Sequence, residues 1–306
     1  MRLERGLVVE GGRRKVRIAG EPGAGVKQRF PAGLRFPVVR RLGAFFHPTM
    51  RIVLKFGSGI LASVQGNTLD GRQFKRLSRE VAALVDGGHE CVIVSSGAVA
   101  AGLSSLGFRA RPEELAARQA CAAVGQSKLM QRYSECFAEH GLGVAQLLLT
   151  HGDIDSRTRC ENVRTTLSRL LERKNVVPII NENDSVATEE LKFGDNDRLS
   201  AEVAMLVRAD LLILLTSVEG LLDAKGKRVP TVSNVLKVSG LARADKGKFS
   251  VGGMVSKLQA VRDAVEAGIP TVIASGRKPG QIKQVVAGGD AGTRFLPVSG
   301  DGRLKD

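Results

Sequence analysis

The chain has 306 residues, 43% hydrophobic and 25% charged, enough to bury one large core or two smaller ones. With no Trp and a single Tyr it lacks aromatic platforms for stacking bases or sugars, and no apolar run approaches the roughly 20 residues that span a bilayer. The net charge of +15 is uneven, with 11 Lys/Arg against 3 Asp/Glu in residues 1–49 and 35 against 28 in the rest.

That basic stretch reads either as an arm for nucleic acid or an anionic surface, or as an extension with little to bury. The second reading is preferred, because Met50 directly precedes the first convincing strand, as it would below an upstream start. No apolar stretch of 7–15 residues follows the charges, which argues against a secretory signal. The stretch is Arg-rich but has no Ser, which fits an organelle transit peptide poorly.

From Met50 onward, apolar runs alternate with amphipathic ones. Strands are predicted at 51–56, 91–95, 144–149, 176–180, 211–215 and 271–274, and helices at 69–86, from 98, at 113–139, 157–174, 198–208, 255–267 and 281–286. Near-continuous apolar strands alternating with helices predict an α/β fold, a three-layer αβα sandwich around a mostly parallel sheet. Residues 223–248 are Lys/Gly-rich and less periodic, and read as a surface excursion. The expected division is an extension (1–49), one domain (50–296) and a short tail (297–306). The four Cys show no CxxC spacing and read as reduced core or helix residues, and the scattered His offer no metal pair.

The most informative stretch is Asn181-Glu182-Asn183-Asp184, followed by Asp195-Asn196-Asp197, placed just after the buried strand 176–180. Ligands of open α/β sheets bind at the carboxyl ends of strands, where this cluster would sit. Alone, such a cluster is more often a solvated loop of turn formers.

Three further segments favour chemistry. Lys55-Phe56-Gly57-Ser58-Gly59 ends a strand in a cation and a glycine turn whose N–H groups can approach phosphate, although no Walker A loop is present. The segment 94–102, with Ser95, Ser96 and Gly97, leads a strand into a helix of tiny residues. That suits an anion site, tight helix packing, or both. Gly252-Gly253-Met254 opens a helix with Lys257 one turn in. Repeated pairing of lysines with glycine turns fits phosphoryl transfer, which needs clustered cations and N–H donors.

These segments make the chain similar to the amino acid kinase superfamily, and within it to the glutamate 5-kinase family, over roughly residues 50–296. The matching motifs are KFGSG (55–59), VSSGAVAAG (94–102), AAVGQS (122–127), INENDSVAT (180–188), KFGDNDRLSA (192–201), GGMVSKLQA (252–260) and VIASGRKPG (272–280). The resemblance implies ATP-dependent phosphorylation of the L-glutamate side chain to glutamyl 5-phosphate, the first step of proline biosynthesis, by a cytoplasmic enzyme. It implies Lys55 and Lys257 on the transferring phosphoryl group, with Asp197 between them, and no phosphoenzyme. Gly57, Ser58, Thr216, Ser217, Gly252, Gly253 and Met254 would hold ATP alongside the lysines. Ser96, Asp184 and Asn196 would bind glutamate, supported by Asn181 and Lys192. Mg²⁺ would bridge the phosphates, mostly through water.

The resemblance further implies a homo-oligomer and proline as a feedback inhibitor, with no nucleic-acid or membrane partner expected. The carboxy-terminal RNA-modification-type domain of many family members is absent from the matching pattern. Two positions depart from the family. Thr216-Ser217 stands where a Thr-Asp pair is usual, and Leu222-Asp223-Ala224-Lys225 replaces a Tyr-Thr-Ala-Asp-Pro-like run. Both put nucleotide affinity in question rather than reaction type. Other carboxylate kinases, and a non-catalytic sensing or nucleic-acid-binding protein on the same fold, are the rival readings.

Overall fold

A computed structural model describes residues 9–10, 13–14, 49–63, 66–186, 195–238, 240–241 and 253–297. The chain divides into two units, Met1–Phe46 and His47–Asp306. In the first, β1 (Val9–Glu10) pairs antiparallel with β2 (Arg13–Arg14). The rest of the basic extension, and most of the tail, lie outside the described residues.

The second unit is built on an eight-stranded sheet ordered β5-β6-β4-β3-β7-β9-β10-β8. Its strands are β3 (Arg51–Phe56), β4 (Glu90–Ser95), β5 (Gly143–Leu149), β6 (Val176–Glu182), β7 (Leu211–Thr216), β8 (Thr231–Val232), β9 (Thr271–Ser275) and β10 (Thr293–Phe295). All neighbours run parallel except β9 and β10. The αβα reading holds, with two differences. Thr231 and Val232, inside the segment read as an excursion, complete the sheet edge beside β10. The cluster read as following a strand begins within it, because Asn181 and Glu182 are the last residues of β6 and pair with Leu148 and Leu149.

Period-two alternation along β3 sends its side chains to opposite layers. Ile52, Leu54 and Phe56 join one core with residues of α2 (Gly71–Asp86), α3 (Ala98–Gly102), α4 (Leu115–Ala138) and α9 (Gln281–Val286). Val53 joins the other, with residues of α6 (Arg157–Leu171), α7 (Asp195–Leu206) and α8 (Met254–Glu266). Each fully buried aliphatic side chain contributes about 1.5–3 kcal/mol. Lys55, two residues beyond Val53, falls on the α7/α8 side.

Two short helices were not predicted: α1 (Ser58–Leu61), within the glycine turn, and α5 (His151–Asp155). The α5 start is a capping box in which Thr150 and Asp153 satisfy each other's backbone N–H.

Tight packing explains the small residues of α3. A Cβ added to Gly125 of α4 would lie 1.8 Å from the Ala98 carbonyl oxygen, and one on Gly102 would lie 1.9 Å from that of Cys121. Neither position has room for a side chain, so the two backbones touch. Gly97 turns the chain from β4 into α3 at φ 108°, a conformation that L side chains rarely adopt.

Candidate active site

Strand order reverses at β3, since the chain passes first to β4 on one side and later adds β7 on the other. The carboxyl end of such a switch strand is where open α/β sheets bind ligands. Lys55 lies at that end, 6% exposed. Its Nζ is 2.5 Å from Oδ1 of Asp197 in the first turn of α7. Lys257, in the first turn of α8 and also 6% exposed, places its Nζ 3.0 Å from Oδ2 of the same carboxylate. The Ser256 hydroxyl donates to that oxygen at 3.1 Å, and the Ser200 hydroxyl donates to the Asp197 carbonyl.

Each member of this triangle needs the others. Asp197 favours the positive end of α7, whereas Lys257 is disfavoured by the positive end of α8 and depends on the carboxylate. Burial pulls the Lys55 pKa below the ordinary lysine value; Asp197 opposes that shift and the neighbouring Lys257 charge adds to it. Burial alone would raise the Asp197 pKa, but the charges of Lys55 and Lys257 outweigh it and hold the carboxyl below its ordinary value. Two cations are thereby held side by side, almost out of water, at the carboxyl end of a central strand. Such an arrangement is suited to a polyanion whose charge builds up during reaction.

A chain of amides lies beside the triangle. The Glu182 backbone N–H points at two side-chain oxygens, Asn181 Oδ1 at 3.0 Å and Asn196 Oδ1 at 3.3 Å. Asn181 Nδ2 in turn donates to Gln126 Oε1 of α4 at 2.9 Å. Asn181 is 1% exposed, whereas Asn196 and Asp184 are half-buried. Asn183 N–H donates to the Leu149 carbonyl, which aligns the polypeptide leading to Asp184 with the end of β5. Ser96, half-buried, donates its backbone N–H to the Phe56 carbonyl and so lies beside the Lys55 turn. The Ser95 hydroxyl is buried and bonds Tyr133.

On the other flank of Lys55, the turn approaches β7. Gly57 N–H donates to the Leu215 carbonyl at 3.3 Å, and a Cβ on Gly57 would sit 3.6 Å from the Lys55 ammonium. Gly59 lies similarly close to the exposed Ser217 hydroxyl. Arg277, in the turn after β9, donates to the Gly59 carbonyl, and Lys278 pairs with Glu219 at 2.5 Å. This rim is open and charged, unlike the closed triangle.

The amino acid kinase family model matches residues 50–275. The chain belongs to the amino acid kinase family. Among curated relatives of this amino acid kinase, the glutamate 5-kinase of Nitrosococcus oceani is 46% identical over 256 residues, covering 81% of this chain and 68% of that protein. Those of Myxococcus xanthus and Thermus thermophilus are 45% and 46% identical, and 67% of each is covered. Among solved structures, UMP kinase from Bacillus anthracis superposes with a TM-score of 0.56 at 17% identity, covering 82% of this chain and 98% of that one. N-acetylglutamate synthase from Neisseria gonorrhoeae, complexed with coenzyme A and L-arginine, gives 0.58 at 14%, with 82% and 62% covered. Both likenesses speak to the fold alone.

The fold gathers most of the residues singled out from sequence. Lys55, Asp197 and Lys257 meet directly, Asn181 and Asn196 share the Glu182 N–H, and Gly57, Ser58, Thr216 and Ser217 lie along the adjoining turn and strand end. Gly253 and Met254 open α8 below Lys257. Lys192 and Gly252 lie outside the described residues. Sequence reasoning quoted Gln126 within a motif but gave it no role; its signal was a Gly-Gln pair inside a helix of small residues. Ser256 and Arg277 likewise stand within matching motifs, GGMVSKLQA and VIASGRKPG, without an assigned role.

Among the described residues, no three His, Cys, Asp or Glu side chains are grouped to hold a metal ion. Both Asp197 oxygens face lysines. The donors present therefore fit a divalent cation carried by phosphate oxygens and water better than one caged by protein. Burial pushes the Cys91 thiol up to about 12, so it supplies no thiolate nucleophile near neutral pH. No helix among the described residues is long and apolar enough to cross a membrane.

Proposed function

We propose that the chain uses ATP to phosphorylate the side-chain carboxylate of L-glutamate, yielding ADP and glutamyl 5-phosphate, as the first step of proline biosynthesis. The reading rests above all on the Lys55–Asp197–Lys257 triangle at the switch end of the sheet, in a chain whose curated relatives are glutamate 5-kinases.

One carboxylate oxygen of glutamate attacks the γ-phosphorus as the bond to the bridging oxygen breaks, in line and without a phosphoenzyme. Charge spreads over the three equatorial oxygens and onto the departing ADP. Lys55 and Lys257 meet that charge with ammonium groups already desolvated and aimed, so little reorganisation is needed at the moment of reaction. Asp197 keeps the two cations apart and in register.

Gly57, Ser58, Gly252, Gly253 and Met254 line the phosphates, while Thr216 and Ser217 lie toward the nucleoside. When bound with the nucleotide, Mg²⁺ would be held by phosphate oxygens and water and would supply positive charge against the β- and γ-phosphates. Ser96, Asp184 and Asn196 orient glutamate, with Asp184 on its ammonium and Asn181 and Lys192 in support. The enzyme works in the cytoplasm as a homo-oligomer, and free proline competes for the glutamate pocket. Initial rates unchanged by millimolar proline at subsaturating glutamate would overturn that last point.

The test is a coupled ADP-release assay on purified protein with L-glutamate, L-aspartate and N-acetyl-L-glutamate. Glutamate should be used far more efficiently than the other two. Acylating the amine leaves the Asp184 carboxylate facing an amide, so efficient use of N-acetylglutamate would overturn the assignment of the acceptor.

A further inference from the structure

The amide chain beside the triangle has a polarity set by one group. The Glu182 backbone N–H can only donate, so the side-chain groups facing it from Asn181 and Asn196 must be oxygens. Asn181 must then present its NH₂ to Gln126, and Gln126 must answer with its oxygen. Nothing about the Gln126 amide is left to choose. Its Nε2 is a donor, buried, and without a partner among the described residues. The residue as a whole is 9% exposed.

A buried N–H without an acceptor costs about 1–3 kcal/mol, and native folds rarely retain one without a reason. Here the cost is built into rigid surroundings. Gly125, the preceding residue, is in backbone contact with Ala98 at the start of α3, so α4 cannot turn to find Gln126 another partner. Ser96, next to that contact, and Asn196, at the far end of the amide chain, both belong to the acceptor side of the proposed site. The acceptor proposed here, L-glutamate, carries two carboxylates, and each brings oxygens that lack protons.

We propose that Gln126 is a specificity-determining residue of the acceptor pocket, giving its Nε2–H to a carboxylate oxygen of the bound amino acid while its Oε1 holds Asn181. The inference rests on the reading of the site as a carboxylate-kinase pocket. It adds a donor from α4 that no motif assignment supplied. It also explains why the position carries a donor as well as the acceptor that Asn181 needs: the unpaired N–H is filled only when substrate is present.

Gln126→Glu separates this role from a structural one. Glutamate at 126 keeps the shape and keeps an oxygen for Asn181, but replaces the donor with an anion facing the substrate's carboxylate. Steady-state kinetics of both proteins, varying glutamate and ATP separately, should show the glutamate KM raised about ten- to hundredfold, the size of a lost charge-assisted hydrogen bond. The ATP KM and the melting temperature should change little. If Gln126 only braces Asn181, or only holds a buried water, the glutamate KM will match wild type, and the proposal is overturned. A rise in both KM values together with a lower melting temperature would also overturn it, as general damage.

Should the Glu variant not fold, Gln126→Met, which fills the space but supplies neither donor nor acceptor, takes its place. For the proposal to stand it must raise the glutamate KM alone, and by more than Asn181→Leu, which removes the braced amide and leaves the Gln126 donor in place. The measurement uses whichever acid the wild type phosphorylates best. A different preferred acceptor would therefore revise the substrate and still leave the role of Gln126 tested.

Discussion

Asp197→Asn is the perturbation that reaches furthest into the site. The wild-type carboxylate is 1% exposed and meets Lys55 and Lys257 through opposite oxygens, at 2.5 and 3.0 Å. Asn keeps the outline, removes the charge, and turns an NH₂ toward one of the ammonium groups. Breaking a buried ion pair by removing one partner typically costs about 3–5 kcal/mol. The lower end applies here, because Lys55, whose pKa burial already lowers, can shed its proton. A loss of about 3 kcal/mol corresponds to roughly 6–12 °C in melting temperature for a domain of this size.

The sign with pH follows from the lowered Asp197 pKa. Its contribution to stability is complete above the unfolded carboxyl value and disappears as pH falls through the folded one. Wild type and variant should therefore differ most near neutrality and converge in acid, below about pH 4. Turnover should fall about 10²–10³-fold, as for loss of a preorganised cationic donor. The alkaline limb of the rate profile should move to lower pH, because an unshielded Lys55 deprotonates sooner. Differential scanning fluorimetry from acid to neutral pH, with rates across the same series and beyond, checks each point. Wild-type turnover in the variant, or a melting gap that does not narrow in acid, would refute the electrostatic account of the triangle.

Four further outcomes are expected. Asp184→Ala should raise the glutamate KM about 10–150-fold and the ATP KM little, by steady-state kinetics, if its carboxylate meets the substrate ammonium. Gly125→Ala should lower the melting temperature, since its Cβ would overlap the Ala98 carbonyl and overpacking costs about 1–3 kcal/mol. Ser217→Asp should tighten ATP binding in calorimetry, because a charged acceptor contributes about 1.5–3 kcal/mol against about 1 for a neutral one. Equal or weaker affinity would place the nucleoside contact elsewhere. Removal of residues 1–49 should leave melting temperature and kinetic constants unchanged; a large drop in either would show that the basic extension contributes to folding or catalysis.

The central strands and long helices were legible because each is a sustained apolar pattern bounded by glycine or polar residues; α9 was read to the residue. What escaped was set by contacts distant in sequence. Asp195, Asn196 and Asp197 read as a loop because Asp and Asn serve turns and helix starts alike, and the first turn of α7 forms around them. Asn181 and Glu182 read as lying beyond a strand because both are polar. They extend β6, and Asn181 is buried because Gln126 receives its amide. Strands β8 and β10, two and three residues long, carry too little pattern to register without each other. The lysines were visible as residues near glycine turns, but their convergence on one carboxylate was supplied by family resemblance rather than by spacing.

The contact between Gly102 and Gly125 has a mechanical consequence. It welds α3 to α4 backbone against backbone, so the layer that carries Ser96 and Gln126 behaves as one stiff plate. Asp197 and Lys257 ride on α7 and α8, which pack against the other face of the sheet. If the acceptor sits between the two as proposed, touching Gln126 on one side and the lysines on the other, it would lace the plate to the opposite layer across the carboxyl ends of the central strands. Adjustment on binding must then come from the α7/α8 side. Occupancy of the acceptor pocket should make the two helical layers resist shear together, like boards gripped by a clamp at one end.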